Sequence, residues 1–163
     1  MESRAKLLGH PVHPMLIVLP LGLFIGAVVF DPLYMWRGST TFATVAYWNI
    51  AAGIVGGLLA AVFGLIDWFA IPSGTRAKRI GLLHGGSNVV VVLIFATVWL
   101  MRGNTADATP TTNLFLLEIV ALVLGSVAGW LGGELVDRLG VGVDDGAHLD
   151  APSSLSGRAA RQR

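Results

Sequence analysis

The sequence predicts an all-α fold: a polytopic membrane protein built as an antiparallel bundle of four transmembrane helices. Three observations carry that prediction: a composition poor in charge, four apolar runs of membrane length, and a lopsided distribution of cations. Of 163 residues, 54 % are apolar and 13 % charged; there are 21 glycines and no cysteine. An ordinary soluble domain carries about 25 % charged residues. The balance excludes a disordered chain, a disulfide scaffold, a cysteine-ligated zinc or iron–sulfur protein and a soluble globule. A net charge of +1 gives no basic field for nucleic acid.

The four runs cover residues 14–36, 43–71, 79–101 and 113–139. Each exceeds the roughly 20 residues a helix needs to cross a bilayer. The first follows Gly9-His10-Pro11-Val12-His13-Pro14 and reads as retained, because Asp31-Pro32-Leu33-Tyr34 follows it where a signal peptide would have a small-residue cleavage site. Short breaker-rich links at residues 37–40, 72–76 and 103–110 make consecutive helices antiparallel neighbours. Residues 1–143 thus form one transmembrane domain, and residues 144–163, rich in Gly, Asp, Ser, Ala and Arg, are expected as a mobile tail.

Orientation follows from the cations. Arg4, Lys6, Arg76, Lys78, Arg79, Arg138, Arg158, Arg161 and Arg163 lie on one side, and only Arg37 and Arg102 on the other. The positive-inside bias places both termini in the cytoplasm. Trp36, Trp48 and Trp99 mark the outer interface, Trp68 and Trp130 the inner one.

Every helix carries a Gly-x-x-x-Gly pair: Gly22/Gly26, Gly53/Gly57, Gly81/Gly85 and Gly125/Gly129. Small residues at this spacing let helices approach closely in lipid, within one chain or between copies in a homo-oligomer. Helical periodicity aligns polar residues with these stripes: Asn49 and Asp67 on the second helix, His84 and Asn88 on the third, Glu118 on the fourth. Asp31 falls off the Gly22/Gly26 face, and Glu134 lies opposite the fourth stripe, free to reach the interface. Two polar levels result. Glu118 and Asn49, with Asp31, form the outer one; Asp67 and His84 pair at the inner one. A proline after each of His10 and His13 disfavours helix there, so both imidazoles are expected on a stiff extended arm at the inner level.

The His-Pro-x-His-Pro start, the proline-containing first helix, Asp67, His84-Gly85, and Gly132-Gly133-Glu134-Leu135-Val136 before Gly140-Val141-Gly142-Val143 resemble one bacterial family. It is the four-helix membrane family catalogued as domain of unknown function 2231, and the resemblance covers residues 7–143. It implies the architecture and no established activity. Relatives fused to Rieske-type iron–sulfur domains imply a redox setting.

Several functions suit this inner level. His84 with His13 or His10 could ligate a b-type haem, with Asp67 orienting a ligand, for electron transfer to a redox partner protein. His10, His13, His84 and Asp67 could instead hold a divalent transition metal. A non-catalytic alternative binds no cofactor: Asp67 and His84 lock helices together and the His-Pro arm caps the bundle. A proton path from Asp67 to Glu118 is a further alternative. The lipid bilayer is a partner in every case. No phosphate loop, nucleophilic serine elbow or His-Glu-x-x-His motif is present in the sequence.

Overall fold

The computed structural model describes residues 1–160; Arg161 and Arg163, counted in the charge asymmetry above, lie outside the described residues. Four helical spans are long and apolar enough to cross a membrane: Val12–Arg37, Thr40–Ala70, Arg76–Arg102 and Thr112–Arg138. The first is divided into α1 (Val12–Leu16) and α2 (Val18–Arg37). The break falls at Ile17, where the Pro20 ring would meet the carbonyl of Leu16 in a continuous helix. Then come α3 (Thr40–Ala70), α4 (Arg76–Arg102) and α5 (Thr112–Gly133), the last continuing as a wide π turn over Glu134–Arg138.

Local chemistry sets the helix ends. Gly38, at φ 69°, closes α2 in the left-handed region that glycine tolerates. Thr75 starts α4 three residues before the apolar run does, its Oγ1 accepting from the Lys78 N–H at 3.1 Å while donating to the Pro72 carbonyl. Thr111 caps α5 in the same way, accepting from Leu114 N–H.

The lead-in differs from the expected extended arm. Lys6–Leu7 (β1) and His10–Pro11 (β2) pair as a small antiparallel ribbon. Leu8 and Gly9, both at positive φ, turn it. Only His10 stays extended. His13 lies inside α1, since Pro14 occupies the first helical turn, where no amide donor is needed.

α2 packs on α3, α3 on α4, and α4 on α5, while α5 returns to α2. α2 and α4 therefore lie diagonally, and they meet in the centre through Phe24 and Phe95, stacked 4.0 Å apart and 3° from parallel. Those two residues are 71 positions apart, and so are two other pairs that meet between these helices, His13/His84 and Asp31/Arg102. On α3 and α5 the matching spacing is 68: Ala60/Ala128, Gly64/Gly132 and Ile50/Glu118. Matching contacts thus recur at fixed spacings in the two helical hairpins, α1–α3 and α4–α5.

The glycines work differently from the backbone-contact stripes expected above. A Cβ at Gly22, Gly85 or Gly129 would meet nothing within 4 Å, so one member of three of the pairs is not a close contact. Other glycines are seats for rings: Phe24 lies on Gly53, Trp68 on Gly81, His13 on Gly64 and His84 on Gly132. Cavities too small for water forfeit dispersion contacts, and a flat ring on bare backbone leaves none.

Candidate functional site: a histidine pair and a buried ion cluster

His13 and His84 are the predicted site residues that the fold brings together. Their ring centroids lie 6.3 Å apart with planes at 87°. His13 Nδ1–H donates to the Ala60 carbonyl at 2.8 Å, and His84 Nδ1–H donates to the Ala128 carbonyl at 2.8 Å. In the neutral ring both donations select the Nδ1–H tautomer, in which Nε2 carries the lone pair. Asn88 Nδ2 lies 3.4 Å from His84 Nε2, as a weak donor to it, and donates to the His84 carbonyl at 2.9 Å. The ring seats are tight. A Cβ at Gly64 would come within 2.8 Å of His13 Cε1, and one at Gly132 within 3.1 Å of His84 Cε1. His84 is eight residues into α4, about 12 Å along the helix axis. The pair is therefore deeper than the single turn expected from an α4 starting at residue 79.

The other two inner-level residues lie elsewhere. Asp67 does not pair with His84. Both its oxygens accept from Ser3 Oγ at 2.8 Å, and Oδ1 also accepts from Arg4 N–H at 2.7 Å, so Asp67 ties down the chain ahead of β1. His10 is exposed on the ribbon, its Nε2 3.3 Å from Ser154 Oγ in the C-terminal segment. A four-ligand set of His10, His13, His84 and Asp67 is not assembled. Among the described residues no group of three or more His, Cys, Asp and Glu side chains is arranged to hold a metal ion. Glu134 reaches out to Arg76 at 2.6 Å.

The outer level holds a cluster that sequence reasoning saw only in part. Asp31 and Glu118 do meet, and Arg102 lies between them; all three are fully buried. Arg102 Nη1 donates to Asp31 Oδ2 at 2.7 Å and to Glu118 Oε1 at 3.4 Å. Its Nη2 donates to the Ala43 carbonyl and its Nε to the Ala108 carbonyl, each at 2.9 Å. Arg102, read from sequence as a loop charge, is an interior cation. Two intramembrane carboxylates on neighbouring helices require one, and that was the available signal. Asn49 packs against Gly26 instead of joining them. Asp31 follows His13 by 18 residues, about 27 Å of helix, so the two levels lie near opposite edges of a hydrocarbon core about 30 Å thick.

A family model described as "Predicted membrane protein (DUF2231)" matches residues 9–145. The chain belongs to that family and is an integral membrane protein. No curated protein and no solved structure matches it.

Proposed function

We propose that this protein is an electron carrier of the bacterial inner membrane, with both termini in the cytoplasm, that holds a b-type haem between His13 and His84. One observation carries the reading: two imidazoles, from α1 and α4, are each fixed through Nδ1 to a carbonyl, so that Nε2 is the atom left for a ligand. That arrangement is the common preparation of a histidine for ligating a metal. His13 and His84, with ring centroids 6.3 Å apart, are the residues that would hold the haem iron.

The turns of α4 and α5 that hold His84 also carry Gly85, Gly86, Gly129 and Gly133, and the open space at the last three lies on the exposed side of the bundle, where a macrocycle would have to enter. Haem with two histidine ligands supplies reversible one-electron transfer. The chain's own part is to fix both rings: Gly64 and Gly132 set their planes and Ala60 and Ala128 their tautomers, while Asn88 would give up its weak contact to His84 Nε2 and keep its bond to the His84 carbonyl. His10 and Asp67 are outside this set, and the divalent-metal alternative loses its third and fourth ligands with them.

The test is the visible spectrum of detergent-purified protein from haem-replete cells, before and after dithionite. A Soret band and a sharp reduced α-band are expected, and both should vanish in His13→Ala and in His84→Ala. A colourless protein whose histidine variants lose only thermal stability would leave the pair as a lock between helices. A redox partner and self-association through exposed glycine faces belong to this proposal and are read from the same preparation by cross-linking and light scattering.

A further inference from the structure

We propose that the buried Asp31–Arg102–Glu118 cluster is a proton-binding site, in which one exchangeable proton is shared by the two carboxyl groups. Three observations meet there. First, the charge count is uneven: two carboxylates face one guanidinium, and the cluster is fully buried. Ionised throughout, it would leave one uncompensated negative charge at membrane depth, which is costly.

Second, one oxygen of each acid is spare. Asp31 Oδ1 and Glu118 Oε2 are buried with no hydrogen-bond partner among the described residues. The two carboxyl groups converge on one atom, Arg102 Nη1, at 2.7 Å from Asp31 and 3.4 Å from Glu118. A proton between them satisfies both spare oxygens and neutralises the cluster.

Third, the internal repeat supplies a control. Asp31 and Arg102 occupy equivalent places in the two hairpins and already balance one another. Glu118 is equivalent to Ile50, which is as fully buried. Glu118 is therefore surplus to the ion pair between Asp31 and Arg102. Among the described residues the other partners of the Arg102 guanidinium are the carbonyls of Ala43 on α3 and Ala108 in the α4–α5 link; neither titrates.

The experiment is infrared spectroscopy of the full-length, detergent-purified chain at neutral pH, where solvent-exposed carboxyl groups are ionised. A protonated-carboxyl C=O band is expected, shifting in D2O as its proton exchanges. Glu118→Gln and Glu118→Ile should each abolish the band while the melting temperature stays within about 4 °C of the parent. Three results overturn the proposal. One is no acid band in the parent. Another is a band that survives both substitutions. The last is failure of both variants to fold, which would make Glu118 a structural necessity. A missing band together with sodium-dependent stabilisation would assign the compensating charge to a bound cation.

Discussion

At the end of the bundle that carries both termini, the residues meeting between the two hairpins are identical: His13 and His84. At the opposite end the equivalent pair is Asp31 and Arg102. The difference shows what a recurring membrane hairpin must change and what it can keep. Imidazole is neutral and amphoteric, so two copies can face each other once each has a carbonyl to donate to. Two copies of a buried carboxylate would repel, and two guanidiniums likewise. One hairpin therefore carries the acid and the other the base. Halfway between, the Phe24/Phe95 stack needs no such adjustment because aromatic rings pack against their own kind.

The largest effect that tests this contrast is loss of the cation. Arg102→Leu leaves two carboxylates without a partner and should cost about 3–5 kcal/mol or prevent folding, read from thermal unfolding and yield in detergent. The triple variant Asp31→Leu/Arg102→Leu/Glu118→Ile should recover most of that loss, because a well-packed apolar replacement of a buried ion pair is often neutral. If the triple variant is as unstable as Arg102→Leu alone, packing rather than charge governs that end.

At the histidine end the effects are smaller. Gly64→Ala should cost about 1–3 kcal/mol, because the methyl group overlaps the His13 ring. Gly132→Ala should cost less, its clash with His84 being milder at 3.1 Å against 2.8 Å. Equal losses from the two alanines would show that the hairpins are not equivalent in rigidity. In protein without bound haem, His13→Ala and His84→Ala should each cost about 1 kcal/mol, the net value of one hydrogen bond.

The smallest effect lies outside the membrane. Lys6 Nζ donates to Asp144 Oδ1 at 2.8 Å and to Glu2 Oε2 at 2.7 Å, fastening the N-terminal ribbon to the C-terminal segment. Hydrogen bonding to Lys6 holds the Asp144 carboxyl below its ordinary value of 3.8, and hydrogen bonding to Asp144 raises Lys6 above 10.5. The clip is therefore complete at neutral pH. It is lost as pH falls through the depressed Asp144 value, or as it rises through the elevated Lys6 value. Partial exposure limits it to under about 1 kcal/mol. Hydrogen exchange at residues 141–150 should speed up in Lys6→Met without any shift in melting temperature.

The helices were legible because hydropathy over 20 or more residues outweighs local detail; their starts moved by up to three residues, at α4 because Thr75 caps ahead of the apolar run and at α3 because polar Thr40 and Thr41 extend it. That three-residue shift of α4 displaced His84 from the level of Asp67. Asp67's actual partners, Ser3 and Arg4, lie in a segment with no periodicity to read. His13 was misassigned to an extended arm because a following proline bars helix in the interior but not in the first turn. The repeat escaped notice for another reason. Between residues 13–31 and 84–102 only His13/His84, Val18/Val89 and Phe24/Phe95 are identical, too few to stand out without knowing which of them touch.

The seats under the imidazoles bind sequence positions together in pairs. At Gly64 the room for a methyl group is already filled by the ring of His13, and at Gly132 by that of His84. Ring and seat are therefore one unit of inheritance. A homologue that gains bulk at the place of Gly64 should also have given up histidine at the place of His13. Because both imidazoles serve the proposed haem, the two His–Gly pairs should be kept or lost together, which a count of both pairs in each member of the family would read.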